Sequence, residues 1–151
     1  MSVTLSLDIE LHSNKYSDRS AKSGRDIIDL LLQNGWNVVN NEKKVGYLPL
    51  GDNGMFNWTG SEMTVEELML LADEKEKAGE LIGVLIYWKD SDIGGHLLIN
   101  SPDKFSFILV MDTQYIDIEM KIPDYNWYAE KIIPVFNKQY HILAYKFGFI
   151  Y

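Results

Sequence analysis

The sequence predicts an α+β fold in which a largely antiparallel sheet of about six strands carries three helices packed on it. Strand and helix patterns follow one another without the regular alternation of a parallel sheet. Three or four strand patterns also run consecutively after residue 81. The chain has 151 residues, of which 46% are hydrophobic, and it contains neither an internal repeat nor a linker. We therefore expect residues 1–151 to form a single domain with a sizeable core.

The first part of the chain predicts a strand, a helix and two short strands. Residues 3–11 alternate apolar and polar side chains, which is typical of a strand with one buried face. The polar residues 12–24 predict a loop. The apolar segment "DIIDLLLQN" predicts a helix that Ser23 caps and that ends before Gly35, which can adopt left-handed backbone angles. The segments "WNVV" and "VGYLPL" predict the two short strands.

The second helix has the strongest local signal in the chain. Thr64 can cap its first turn, and Glu67 stands three residues later, which completes the capping-box pattern. Gly79 is placed to end the helix. We expect the charged far end, residues 73–77, to lie in solvent. The predicted buried residues of this helix are Val65, Leu68, Leu71 and Ala72.

The remaining part predicts more strands, a third helix and a closing strand. The apolar residues 81–88 predict a central strand, and the following segment "KDSDIGG" predicts a turn that includes Gly94 and Gly95. The segments "HLLIN", "FSFILVMD" and "YIDIEMKI" predict three strands. Asp124 can cap a third helix, which we expect Pro134 to kink or end. The segment "YHILAYKFGFIY" predicts the last strand.

The composition excludes several kinds of site. The absence of cysteine excludes disulfides, thiolate metal sites and a thiol nucleophile. A net charge of −8 argues against direct binding to nucleic acid or an anionic membrane, although it permits attraction to a basic partner. The start of the chain lacks the basic segment of a signal peptide, and no apolar run is long enough to cross a membrane. We therefore expect a cytoplasmic protein.

The loop "GDNGMFNWTGSE", residues 51–62, raises the question of a metal or phosphate site. Counted from Asp52, it departs from a calcium-binding EF-hand loop at four positions, and it lacks the lysine of a phosphate-binding loop. The histidines do not have zinc-binding spacing, and each belongs in or beside a predicted strand: His12, His96 and His141. No local catalytic signature occurs. The sequence therefore predicts no catalytic, metal-binding or cofactor-binding residue.

Acidic and aromatic side chains in loops remain as candidates for function. Trp58 lies in a polar loop, so it either plugs the end of the sheet, which we favour, or contacts a partner. Carboxylate pairs on the second helix and the later strands are better explained as solvated surface. The predicted partner-binding residues are Asp52, Trp58, Asp90 and Asp92.

The central part of the chain resembles a known family. The segments "VGYLPLGDNGMFNW", "EELMLLADEKEKAGELIGVLIYW" and "DIGGHLLI" resemble small immunity proteins of bacterial polymorphic toxin systems, including contact-dependent growth inhibition. The resemblance covers roughly residues 45–100 together with the last helix and strand. It implies a protein without catalytic residues that binds a cognate toxin domain in the cytosol and blocks it. Many such toxins are nucleases with basic clefts, which an acidic inhibitor can fill.

Two other functions stay open. The first is an enzyme or small-ligand module whose site is assembled from distant residues. A deep pocket that encloses His96 or His141 together with a perturbed carboxylate would favour it. The second is a structural subunit that associates with itself, and a large apolar patch on a sheet edge would favour that function.

Overall fold

The computed structural model describes residues 4–12 and 23–150, which form an eight-stranded sheet, a two-stranded hairpin and three helices. The α+β prediction is confirmed, and the sheet has more strands than expected. Most of the predicted loop at 12–24 lies outside the described residues, as do residue 3 of the first predicted strand and residue 151 of the last. The elements are β1 (Thr4–Leu11), α1 (Gly24–Leu32), β2 (Trp36–Asn37), β3 (Val45–Tyr47), β4 (Thr59–Ser61), α2 (Val65–Lys77), β5 (Ile82–Trp88), β6 (Gly94–Ser101), β7 (Lys104–Met111), β8 (Tyr115–Asp117), β9 (Ile122–Pro123), α3 (Tyr125–Asn137) and β10 (Ile142–Ile150).

The strands of the large sheet follow the order β10-β1-β7-β6-β5-β3-β4, and β2 also pairs with β5. All of these pairings are antiparallel. The strands β5, β6 and β7 are joined by consecutive hairpins, as the run of strand patterns predicts. The hairpin of β8 and β9 forms a separate small sheet.

One face of the large sheet is buried under the three helices. The rings of Phe105 and Phe107 on β7 contact Phe136 of α3, with ring centroids 4.9 Å and 6.4 Å apart. Residues of α1 and α2 belong to the same core. The opposite face carries polar side chains such as those of Asp8 and Ser106, and no described helix covers it. As the alternation in the first strand predicts, β1 buries Leu5, Leu7, Ile9 and Leu11.

The predicted helix starts are confirmed. Ser23 precedes α1, and its backbone N–H donates to the carboxylate of Asp26 at 3.0 Å. The side chains of Thr64 and Asp124 each accept a hydrogen bond from a backbone N–H three residues later, both at 3.1 Å. Each bond satisfies an N–H that the helix itself cannot pair. Gly35 follows α1 at φ +93°, in the left-handed conformation expected of it.

The third helix does not end at Pro134 but continues to Asn137. Proline removes the N–H that would pair with the carbonyl of Glu130, four residues earlier. Glu130 and Pro134 are both exposed, so water can satisfy that carbonyl. The helix therefore tolerates the proline on its solvent side.

Two predicted strand boundaries are wrong. Residues 115–122 do not form one strand of the large sheet, because the carboxylate of Asp117 accepts the N–H of Met120 at 3.0 Å and turns the chain back. Lys121 at φ +56° completes this turn. Gly94 and Gly95 lie in β6 and not in the turn before it, since the backbone of neighbouring strands leaves no room for a side chain there.

The predicted solvation of the far end of α2 is wrong for Lys75, whereas Glu74 and Lys77 are exposed as expected. Lys75 is only 1% exposed, and the carboxylate of Glu76 accepts the backbone N–H of Gly24 at 3.0 Å. This end of the helix therefore packs against α1 and the loop that follows β3. The buried residues of α2 are Leu68, Met69, Ala72 and Lys75, whereas Val65 and Leu71 are only partly buried.

Candidate functional site

The four predicted partner-binding residues lie at the two ends of β5. Asp52 and Trp58 belong to the segment between β3 and β4, which runs beside the start of β5, where the N–H of Leu48 donates to Gly83 at 3.0 Å. Asp90 and Asp92 lie in the turn after β5. A strand of this length spans roughly 20 Å. The four residues therefore form two surfaces and not one acidic patch.

Asp52 fixes the backbone conformation of residues 49–57, which are here called the 49–57 loop. It is 6% exposed, and its two carboxylate oxygens accept the backbone N–H groups of Phe56 and Asn57, both at 2.9 Å. Its carboxylate is thus engaged within the loop. The role of Asp52 as a direct partner contact stays a prediction.

Lys75 and Glu80 hold the other side of this loop. The ammonium group of Lys75 donates to the carbonyl of Pro49 at 2.7 Å and lies 3.3 Å from the carboxylate of Glu80. The same carboxylate accepts the N–H of Gly51 at 2.8 Å. Glu80 is placed by the end of α2, where Gly79 at φ +71° allows the N–H of Glu80 to reach the carbonyl of Lys75. The buried charges are therefore paired, as burial requires.

The 49–57 loop is strained and exposes apolar side chains. Asn53 and Phe56 have φ angles of +52° and +55°. The left-handed conformation costs a bulky residue roughly 1–2 kcal/mol, and a phenylalanine is rarely found there. Phe56, Leu50 and Met55 are nevertheless 48%, 49% and 71% exposed. The paired charges therefore stabilise a strained loop whose largest side chains face outward.

Trp58 packs on the uncovered face of the sheet. Its ring lies 4.5 Å from the ring of His96 on β6, and a side chain at Gly83 would collide with Trp58 and Leu48. Burial lowers the pKa of His96 below its ordinary value of 6.5. Trp58 thus covers part of the sheet, which agrees with the plug that the sequence favours. A further role as a partner contact stays a prediction.

We expect Trp58→Ala to destabilise the fold by roughly 2 kcal/mol, since a partly buried tryptophan loses less than a fully buried one. It should also weaken the acid sensitivity that His96 causes. A histidine with a lowered folded-state pKa favours the folded state above pH 6.5, and this contribution is lost as the pH falls through the folded-state pKa. Urea unfolding at pH 7.5 and at pH 5.0, for the wild type and the variant, measures both effects.

His96→Phe is the control, because it keeps a ring beneath Trp58 and removes the titration. It should lose the pH dependence while retaining more stability than Trp58→Ala. If Trp58→Ala unfolds at the same urea concentration as the wild type at both pH values, Trp58 is not a plug.

The β8–β9 hairpin carries an exposed apolar tip on a fixed base. The N–H of Gln114 donates to the hydroxyl of the buried Tyr128 at 2.9 Å, and the N–H of Asp124 donates to the carbonyl of Gln114 at 2.9 Å. These bonds tie the hairpin to α3. Its tip exposes Ile116, Ile118 and Met120 by 69%, 70% and 66%.

Exposed acidic residues lie at the same end of the sheet as this tip. Gly94 pairs with Met111, so the turn with Asp90 and Asp92 and the hairpin after Met111 leave the same end of the sheet. We call residues 88–93 and 112–123 together the hairpin end. Its exposed acidic residues are Asp90, Asp92, Asp112, Asp117 and Glu119.

The histidines and the cavity that ionisable side chains line lie apart in the described residues. Within residues 4–12 and 23–150, no group of three or more His, Asp or Glu side chains could hold a metal ion. His96 lies under Trp58, and the backbone N–H of His12 donates to the carbonyl of His141 at 2.8 Å. A cavity of about 360 Å³ on the uncovered sheet face is lined by charged and polar groups, and neither His96 nor His141 lines it. Its charged and hydroxyl-bearing residues are Asp8, Glu10, Lys104, Ser106, Tyr145 and Lys146.

Sequence reasoning missed the loop support and the hairpin. The spacing of Leu68, Ala72 and Lys75 places all three on one face of a helix, so Lys75 could have been predicted as a buried residue. The hydrogen bonds of Lys75 with Pro49 and of Glu80 with Gly51 could not have been predicted, since they join residues far apart in the chain. No protein-family model, curated protein or solved structure matches the chain. No helix in the described part is long and apolar enough to span a membrane.

Proposed function

We propose that this protein is an immunity protein that binds a cognate toxin domain in the cytosol and neutralises it by covering its active site. The observation that carries the proposal is the hairpin end, where three exposed apolar side chains and five exposed carboxylates share one end of the sheet. An apolar centre with a polar rim is the common composition of protein interfaces. Side chains this exposed, on a hairpin with a fixed base, stabilise the isolated fold very little.

The charge of the hairpin end supports a basic partner. Lys121 lies over the ring of Tyr115, with its nitrogen 5.1 Å from the ring centroid. Lys89, which lies over the ring of Trp88, is the other lysine of the hairpin end. The five exposed carboxylates outnumber these two lysines, within a chain of net charge −8. Such a surface attracts a basic cleft and accelerates association at low salt. A toxin with a positively charged substrate cleft, for which a nuclease is one candidate, has the complementary chemistry.

The alternative functions have weaker support in the described residues. The open cavity beside Asp8 supports an enzyme or small-ligand site, although no histidine lines it. Self-association has one supporting feature, the edge strand β10, which exposes Leu143, Tyr145 and Ile150. Lys146 lies in the middle of that strand, and lysines on edge strands discourage pairing between sheets.

Co-expression tests the proposed function. The toxin domain encoded by the neighbouring gene is produced with the wild-type protein or with the variant Ile116→Ser/Ile118→Ser/Met120→Ser. We expect the wild type to protect growth and to co-purify with the toxin as a one-to-one complex. Because central apolar contacts dominate binding energy, the triple variant should lose about 100-fold in affinity.

Asp90→Asn/Asp92→Asn tests the charges separately. This variant should slow association by about three- to tenfold at low salt and have little effect at high salt. Leu70→Ser, on the exposed side of α2, controls for the loss of an exposed apolar side chain. Absence of toxin binding by the wild type, with no growth protection, would contradict the proposal.

A further inference from the structure

We propose that the 49–57 loop is a preorganised anchor, whose Leu50, Met55 and Phe56 side chains insert into an uncharged apolar pocket of the protein partner. The inference rests on the proposed function, because the partner is the same toxin domain. It adds a second contact surface at the other end of β5. An interface of ordinary size is roughly 30 Å across, which is enough to reach both ends of the strand.

The first support is the unusual rigidity of the loop. Asp52, Lys75 and Glu80 direct their charged groups into the loop. The carboxylates accept the backbone N–H groups of Gly51, Phe56 and Asn57, and the ammonium group donates to the carbonyl of Pro49, so these bonds fix the loop backbone. Strained backbone angles persist only where the surroundings impose them, and they concentrate at functional sites. In this loop the strain falls on Phe56, a residue with no steric advantage in the left-handed region. A looser loop with glycine or asparagine at this position would fold more easily.

The second support is what the loop presents. Leu50, Met55 and Phe56 lie outside the hydrophobic core and are exposed by 48% to 71%. Asp52 is the loop's one charged residue, and it is turned inward. The outward residues are therefore all uncharged: Leu50, Gly51, Asn53, Gly54, Met55, Phe56 and Asn57. A pocket that receives them needs apolar walls and no charge at its rim.

The rigidity favours a protein pocket over a lipid bilayer as the occupant. A fixed arrangement of side chains gains affinity when the opposing surface is also fixed, because little conformational entropy remains to be lost. A fluid bilayer adapts to any arrangement of side chains, so a strained and fixed loop gains no affinity for it. The net charge of −8 also opposes approach to anionic lipids.

Phe56→Asn separates binding from folding. Asparagine adopts left-handed angles readily, so the loop should keep its backbone and the melting temperature should stay equal or rise. The apolar contact is lost, and the affinity for the purified toxin domain should fall at least tenfold in isothermal titration calorimetry. Because the loop tip carries no charge, the dependence of affinity on salt should stay as in the wild type. Met55→Ser is a second variant that should weaken binding, and Leu70→Asn is the matched control that should not.

The possible results are distinguishable. If the wild type binds the toxin domain and both loop variants bind it within twofold of the wild type, the loop is not an anchor and the proposed function stands. If the wild type does not bind, both proposals fall. If the wild type sediments with phosphatidylcholine vesicles and Phe56→Asn does not, the loop inserts into lipid, and the proposal that it enters a protein pocket is wrong. Tenfold weaker binding by Phe56→Asn, with its fold intact and no vesicle binding by the wild type, supports the anchor.

Discussion

Gly95→Ala should unfold the protein or lower its free energy of unfolding by more than about 3 kcal/mol. A Cβ atom at Gly95 would overlap the carbonyl oxygen of Ile108 and lie 2.8 Å from its carbonyl carbon. Both atoms belong to the backbone of β7, so no side-chain rotation can relieve the clash. The strands β6 and β7 would have to separate in the middle of the sheet, beside the core residues Leu97, Phe107 and Leu109.

Urea unfolding followed by tryptophan fluorescence measures this loss. Gly60→Ala in β4 is the matched control, because a Cβ atom there meets no other atom within 4 Å. It should change the free energy of unfolding by less than about 0.5 kcal/mol. The free energy of unfolding of Gly95→Ala could instead lie within about 1 kcal/mol of the wild-type value, as it does for a typical point mutation. In that case the backbones of β6 and β7 do not approach each other this closely.

The same glycine shows how far sequence patterns reach. The pair Gly94-Gly95 looks like a turn because glycine punctuates turns, and a turn does precede it. What the sequence does not reveal is the close approach of two strands, for which glycine is equally suited. The run of strand patterns was nevertheless enough to predict a largely antiparallel sheet, in which β5, β6 and β7 pair as neighbours.

The segment 115–122 shows the opposite limit. Its alternation predicts a strand with a buried apolar face, and it forms a hairpin that exposes Ile116, Ile118 and Met120. One hydrogen bond from Met120 to Asp117 redirects the chain. Alternation predicts burial only where another surface covers one face. In the proposed function that surface belongs to the partner, which the sequence of this chain does not contain.

The candidate site could be predicted only in part, because its residues act through contacts between distant segments. Trp58 stands out in a polar loop, and its position over the sheet agrees with the predicted plug. Asp52 stands out as an acid among glycines, although its carboxylate turns into the loop. The carbonyl of Pro49 and the ammonium group of Lys75 meet across 26 residues of sequence, which no local pattern encodes.

Lys75→Met should lower the free energy of unfolding by roughly 3 kcal/mol, because removing one partner of a buried charge pair leaves the other uncompensated. Methionine has a similar length and fills the same space. The carbonyl of Pro49 would lose its donor, and the carboxylate of Glu80, with a side chain 15% exposed, would lose its cation. The 49–57 loop should then loosen, so the amide protons of Gly51 and Phe56 should exchange with solvent faster than those in β6.

The double variant Lys75→Met/Glu80→Leu distinguishes charge pairing from packing. Removing both charges leaves no buried ion without a partner, so the double variant should recover part of the stability that Lys75→Met loses. Lys77→Met, at an exposed position of the same helix, should change stability by less than about 0.5 kcal/mol. Gly51 loses its acceptor in the double variant, and amide exchange in the loop should therefore stay fast even as stability returns. If stability and slow exchange return together, the pair serves the fold in general. If stability returns alone, the buried lysine is retained for the shape of the loop, as expected for an anchor that must be rigid before its partner arrives.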